Sequence, residues 1–323
     1  MSELSGARIL VTGGAGFIGS HLVDALLAAG AEAVAVVDTF FLGREENLDD
    51  ARSRHGDALT VYREDAGDLG AMTAVCRAER PDVAFNLATK ALLYSFFNPV
   101  GAFQVNVSIA AALAELMRQR ALPKLVHLST SEVYGTAQQI TMGEDHPLLA
   151  ETSYAAGKAA ADLLLMSYVN MYGLDVVTVR PFNNYGPRQN DGAFAAIVPL
   201  TMKRLLEGSP PVVEGDGLQT RDFIYVQDTV AAIIALATID AASGQTLNVG
   251  SGREVAIKDV VETICDISGY TGNIEHAPAR IADVRRHRAD VTRAEELIGA
   301  VAPTQLREGL ERTYSWHAAA VGS

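Results

Sequence analysis

Val11-Thr12-Gly13-Gly14-Ala15-Gly16-Phe17-Ile18-Gly19 closes the first apolar run of the chain and opens its first helical pattern. Residues Ala7 to Val11 read as a short buried strand, and Phe17 to Ala29 carry apolar residues at helical spacing. The glycines therefore fall where strand turns into helix, the context in which such a motif has physical meaning. Gly13 permits the tight turn, Gly16 removes the side chain that would block a pyrophosphate, and Gly19 lets the helix pack close to the strand. The helix N-terminus, at Phe17 and Ile18, offers free amides and a partial positive charge to an anion. The spacing reads as Gly13-x-x-Gly16-x-x-Gly19 or as Gly14-x-Gly16-x-x-Gly19, and the turn alone does not choose between nucleotide-binding classes.

A second strand, Ala33 to Val37, ends in Asp38, about 20 residues beyond the glycines, where a carboxylate accepts hydrogen bonds from an adenosine ribose. That favours NAD over NADP. Arg44 is the counter-argument, since a guanidinium holds a 2'-phosphate, but the Asp38 carboxylate would repel that group.

Much later comes Tyr154-Ala155-Ala156-Gly157-Lys158. Tyr154 and Lys158 are four apart on a helical stretch running to Met171 and so share one face. A nearby ammonium favours tyrosinate, which takes a proton from a sugar hydroxyl while hydride leaves its carbon. An ordinary amphipathic helix explains the pair equally well if it is taken alone. The strand ending at Leu128 delivers Ser129-Thr130-Ser131-Glu132-Val133-Tyr134-Gly135 to the carboxyl edge of a sheet, where ligands of open α/β sheets bind. Thr130 is then placed to hydrogen-bond the reacting oxygen and Glu132 to act as a second acid/base; turn-forming caps are the plain alternative.

Strand-like runs at Ile9–Val11, Val34–Val37, Leu59–Tyr62, Val83–Leu87, Leu125–Leu128 and Val176–Val179 alternate with helical stretches such as Ala102–Arg120. Alternation of this kind predicts an α/β fold, a Rossmann-type doubly wound parallel sheet with a smaller C-terminal substrate lobe. The division expected is 1–182 for the dinucleotide and 183–323 for the substrate. Within the second part, Ala193–Glu207 reads as a helix and Gly208–Gly217 as a turn-rich connection. The stretch 222–248, with Phe223–Val226 and a helix at Thr229–Thr238, is expected to return to the first domain. Ala256–Gly269 and Arg280–His317 complete the lobe.

Composition narrows the classes. The chain has 323 residues, of which 49% are hydrophobic, enough for two lobes. A formal net charge of −13 disfavours nucleic acid and anionic membrane as partners. Cys76 and Cys265 form no Cys-x-x-Cys pair, so neither a disulfide framework nor a metal site is indicated. No signal-like segment is evident and no run reads as long enough to cross a bilayer, so a cytoplasmic location is expected.

With these motifs in order, the chain resembles the extended short-chain dehydrogenase/reductases, specifically the NAD-dependent nucleotide-sugar epimerase/dehydratase family. The resemblance spans nearly the whole chain. It extends to Asp65 in the adenine-contact region, to Asn86-Leu87-Ala88, and to Arg180-Pro181-Phe182-Asn183-Asn184-Tyr185-Gly186-Pro187-Arg188. It continues through Gly215-Asp216-Gly217-Leu218-Gln219-Thr220-Arg221-Asp222-Phe223 and Arg280-Ile281-Ala282-Asp283-Val284. The resemblance implies that Asp65, Leu87, Ala88 and Pro181 border NAD, and that Asn183, Arg221 and Arg280 contact a nucleotide diphosphate sugar. Two guanidiniums suit phosphate oxygens, to which they make charge-assisted bonds. It also implies a homodimer built on the helices around Gln104–Arg120 and Tyr154–Met171.

Members of this family oxidise a sugar carbon, usually C4, and differ in the next step: epimerisation, 4,6-dehydration or decarboxylation. Glu132 is the discriminating residue, because it offers a base for C5, and it favours a 4,6-dehydratase-like reaction over a 4-epimerase, with a decarboxylase third. Ser131 stands where one dehydratase branch has Asp, against a standard dTDP-glucose dehydratase. From another class, a noncatalytic dinucleotide sensor is opposed by intact Thr130, Tyr154 and Lys158. The loop Thr89–Pro99 departs from the family in being apolar. Lys90 in it is expected to reach the sugar or a carboxylate, with a solvent-facing lysine the plain alternative, Ser131 to line the sugar pocket, and Phe96 and Phe97 to pack.

Overall fold

Branched aliphatic residues make the strands. The runs RILVT and AVAVV are buried at nearly every position, as expected of strands covered on both faces. The computed structural model describes residues 4–192, 194–279 and 284–321. Its first half runs β1 (Arg8–Thr12), α1 (Phe17–Ala28), β2 (Ala33–Val37), α2 (Asp49–His55), β3 (Leu59–Tyr62), α3 (Leu69–Glu79), β4 (Val83–Asn86), α4 (Pro99–Arg118), β5 (Lys124–Leu128), α5 (Ser153–Tyr172) and β6 (Asp175–Pro181). Then come β7 (Asn183–Tyr185), α6 (Ile197–Leu206), β8 (Val212–Glu214), β9 (Thr220–Arg221), β10 (Phe223–Tyr225), α7 (Val226–Ala237) and β11 (Thr246–Val249). The chain closes with β12 (Val255–Ala256), α8 (Ile257–Ser268), β13 (Glu275–Ala277), α9 (Thr292–Ile298) and α10 (Leu306–Val321).

Seven strands form one parallel sheet in the order β11-β6-β5-β4-β1-β2-β3. Successive side chains go to opposite faces. Ile9, Val11, Val34 and Val36 pack with Leu22 and Leu26 of α1 and Ile233 of α7. Leu10, Ala35 and Val37 pack on the other face with Met72 of α3, Leu113 of α4 and Leu165 of α5. From β1 the chain winds one way through β2 and β3, and from β4 the other way, so the crevice lies at the C-terminal ends of β1 and β4. The fold is the Rossmann-like α/β sheet, with three two-stranded sheets beside it formed by β7/β10, β9/β12 and β8/β13. Val198, Met202, Val260, Ile264 and Leu310, from α6, α8 and α10, form the core of that second region.

Several boundaries move for physical reasons. Helix α4 begins at Pro99 rather than Ala102, because Asn98 caps it by accepting from Gly101 N and proline suits the first turn. Helix α6 begins at Ile197, later than Ala193. In the stretch expected to return to the sheet, α7 packs on α1 and β11 forms the sheet edge, but Phe223–Tyr225 pairs with β7 instead. The expectation that no segment could cross a bilayer is also corrected: α4 is long and apolar enough. Half of it is buried inside the fold, against α3 and α5.

Candidate active site

A cavity of about 530 Å3 opens at this crevice. At its floor Gly13 has φ +72, and a Cβ there would stand 2.7 Å from Ala88 N, so no other residue fits. A Cβ on Gly19 would lie 2.1 Å from the Gly13 carbonyl oxygen, which sets how closely α1 approaches β1. Gly16 is the N-cap of α1, and no side chain caps that end. Gly13, Gly16, Phe17, Ile18 and Gly19 all line the cavity. A bare helix N-terminus with no Cβ in front of it is the cradle a pyrophosphate requires, and the residues present fit a dinucleotide.

Asp38, nearly buried, follows β2 and accepts from Ala15 N at 3.0 Å and Phe40 N at 2.8 Å. Burial pushes its carboxyl up, while these bonds and Lys90 hold it down. A carboxylate has further lone pairs for ribose hydroxyls. Arg44 is turned to Asp191, 2.8 Å away. Asp65, Leu87, Ala88 and Pro181 line the same cavity.

Thr152 caps α5 by accepting from Ala155 N, which starts the helix just before Tyr154. Burial pushes the Tyr154 phenol up to about 12; hydrogen bonding by Thr130 opposes this, the Glu132 charge adds to it, and Thr89 also opposes it. Thr130, Thr89, Glu132 and Ser131 are thereby gathered with Tyr154 in one cavity. Lys158 is 2% exposed and donates from Nζ to Leu128 O at 2.8 Å. Burial pulls its ammonium down to about 8. Thr130 also caps the short turn Ser131–Tyr134 by accepting from Glu132 N at 3.2 Å.

Asn183 and Arg221 line the cavity from the second region. The Asn183 Oδ1 is buried with no hydrogen-bond partner, and Arg221 donates to the Thr220 and Val284 carbonyls. Arg280 lies outside the described residues.

Lys90 lines the same cavity. Its Nζ lies 3.4 Å from the centre of the Phe41 ring, within electrostatic reach of Asp65 and Asp38. The apolar loop that follows it folds into a short helical turn at Leu92–Phe96. Phe97, expected to pack, is 78% exposed and meets Phe194 edge-on at 5.5 Å. Sequence reasoning missed Thr89 as a neighbour of Tyr154, and His287, buried with Nε2 on Ser131 O at 3.2 Å. Nothing local signals either, because both are brought in by tertiary contacts. Cys76 and Cys265 are free and buried. Among the described residues no cluster of His, Cys, Asp or Glu could hold a metal ion.

A family described as GDP-mannose 4,6 dehydratase matches residues 10–313. The chain belongs to the NAD-dependent nucleotide-sugar epimerase/dehydratase family. Over 308 residues it is 38% identical to the UDP-glucose 4-epimerase of Mycolicibacterium smegmatis, covering 95% of this chain and 97% of that one. The UDP-glucose 4-epimerase of Thermotoga maritima, solved with UDP-glucose, superposes with a TM-score of 0.91 at 30% identity, covering 97% and 99%. The dTDP-glucose 4,6-dehydratase DesIV of Streptomyces venezuelae, solved with NAD, gives 0.91 at 29% identity, covering 98% of each chain. The protein is thus an enzyme of the epimerase/dehydratase family, in which both outcomes occur on one fold.

Proposed function

We propose that this enzyme binds NAD and a nucleotide diphosphate sugar, oxidises the sugar at C4 and completes a 4,6-dehydration. Asp38 at the ribose position, with Arg44 engaged elsewhere, supports NAD over NADP. NAD held by Gly13, Gly16, Gly19 and Asp38 would supply the acceptor for the C4 hydride and its source for the final reduction. Tyr154 takes the C4 hydroxyl proton, Thr130 orients the same oxygen, and Lys158 supplies positive charge beside the phenolate. Asn183 and Arg221, with Arg280, are assigned to the nucleotide diphosphate sugar, and residues 1–182 to the dinucleotide.

The observation that carries the dehydratase reading is Glu132, which lines the cavity close enough to Tyr154 for its charge to raise the phenol. In the 4-keto sugar the C5 proton is acidic. Glu132 takes that proton and returns it to the departing C6 oxygen, so water leaves and a C5–C6 double bond forms; hydride return to C6 with a solvent proton to C5 then gives the 4-keto-6-deoxy sugar. One carboxylate can serve both transfers, consistent with Ser131 offering no second acid. The second reading is 4-epimerisation, supported by the 38% identity to a UDP-glucose 4-epimerase.

Incubation with UDP-, dTDP-, GDP- and CDP-linked hexoses and hexuronates, followed by mass spectrometry, separates the outcomes. Loss of water is expected. Unchanged mass with altered stereochemistry assigns an epimerase, and loss of carbon dioxide from a hexuronate assigns a decarboxylase. With the substrate so found, Glu132→Gln is expected to accumulate NADH and the 4-keto sugar, and normal turnover by that variant would sink the dehydratase reading.

A further inference from the structure

Behind the cavity floor a row of buried polar side chains crosses the sheet. Thr12, Asn86 and His127 are register partners on β1, β4 and β5, and Arg180 and Asn248 are partners on β6 and β11. The Thr12 hydroxyl donates to Asn86 Oδ1 at 2.7 Å, so Asn86 Nδ2 donates to His127 Nδ1 at 2.8 Å. The ring proton therefore sits on Nε2, which lies 3.8 Å from Oδ1 of Asp162. Arg180 Nε donates to the other oxygen of Asp162 at 2.9 Å, and Arg180 Nη1 donates to Tyr134 Oη at 3.0 Å. Tyr134 Oη in turn donates to Asn248 Oδ1 at 2.7 Å. A carboxylate this far from water is kept only with partners, and a well-packed apolar pair would serve the core as well. Its position gives it a use: Asp162 is one helical turn beyond Lys158 on α5, and Lys158 is itself buried, bonded to the uncharged Leu128 carbonyl.

We propose that Asp162, hydrogen-bonded to Arg180 and facing a neutral His127 across 3.8 Å, is a positioning residue that keeps the Lys158 side chain an ammonium beside Tyr154. The inference rests on reading Tyr154 and Lys158 as the acid/base pair. The groups around Lys158 agree with it. On β5, His127 is held neutral by burial and by the Lys158 charge, so it adds no competing positive charge. Arg180, on β6, is committed to Asp162 and Tyr134. Beyond them Glu144 accepts from Asn248 N and pairs with Arg293. Glu132 stands near Tyr154. On α4, packed against α5, the charged side chains are Glu115 and Arg118, which pair with each other near Tyr168. Asp162 is the charge that offsets the burial of Lys158.

The chain has only five lysines, so carbon-13 labelling at lysine Cε resolves them by NMR in the intact NAD-loaded protein, with Lys158 assigned through Lys158→Arg. Asp162→Asn is expected to lower the Lys158 titration midpoint by about one pH unit or more, the scale of a close opposite charge. Asp162→Glu should restore most of it, and the other lysines should not move. If Asp162→Asn leaves Arg180 too exposed to fold, Asp162→Leu with Arg180→Met removes both charges and should still lower the midpoint, by less, because the opposing Arg180 charge goes with it. An unmoved Lys158 midpoint in the variant that folds overturns the proposal. The titration needs no turnover. Failure to modify any nucleotide sugar counts against the catalytic reading alone, whereas turnover with an unmoved Lys158 counts against Asp162 alone.

Discussion

At the scale of the residue, burial and function pull Tyr154 in opposite directions. A phenol pushed up to about 12 is protonated at neutral pH; the Thr130 and Thr89 hydroxyls oppose that push, while the Glu132 and Asp162 charges add to it. Tyr154→Phe removes the proton acceptor, so single-turnover NADH formation should fall roughly 10²-fold or more, the usual scale of general acid/base catalysis. A loss of only a few-fold would assign the proton to another group. His287 makes a different statement, about stability. It is pulled down to about 3, first by burial and then by the Arg221 charge, from an ordinary value of 6.5. Below 6.5 the unfolded chain takes up a proton that the folded chain refuses, so this contribution is complete above that pH and is lost as pH falls towards 3. The buried carboxyls of Asp162 and Asp222, held above their ordinary range, act in the opposite sense. Comparing urea midpoints of the parent and His287→Gln isolates the histidine. The variant should lose less stability on acidification, and parallel pH curves would remove the claim.

At the scale of the element, the crossing of α4 and α5 positions the chemistry. Gly157 lies between Tyr154 and Lys158 in sequence, and a Cβ there would come 2.7 Å from the Phe103 carbonyl oxygen. Gly157→Ala should therefore push the helices apart, at a cost of about 1–3 kcal/mol for overpacking, seen as a lower Tm. An unchanged Tm would mean the crossing has slack. Elements defined by their own pattern were legible in the sequence: β1 to β6 from apolar runs, α1 and α5 from helical spacing, the glycine turn and Asp38 from their place between them. What escaped depends on partners far away in the chain. Thr246–Val249 is a strand because β6 offers it an edge, and strands of two or three residues such as β9 and β12 exist only through pairing. The contact of Lys90 with Phe41 was not legible because nothing in its own loop announces that ring. Asp162 was visible four residues after Lys158, yet its meaning needs Arg180 and His127 brought beside it by the sheet.

At the scale of the whole molecule, the outer face of the same helix pair carries exposed apolar side chains. Val100 and Phe103 on α4 are 63% and 39% exposed, and Leu163 and Met166 on α5 are 63% and 36% exposed. Spacing of three places each pair on one helical stripe, and neither stripe is needed by the core, which α4 and α5 reach through Leu113 and Leu165. Exposed apolar patches of sufficient size mark contacts with another protein chain. Two copies related by a twofold axis would bring the four helices into one bundle, each stripe covering its counterpart. We therefore expect a homodimer, with a mass by light scattering twice that of the chain. Leu163→Glu places a charge on the stripe without touching Tyr154, Lys158 or the sheet, and should give a monomer; because those residues act within one chain, a folded monomer should still bind NAD. A dimer that survives both Leu163→Glu and Phe103→Glu would move the interface elsewhere and leave this apolar face without a partner.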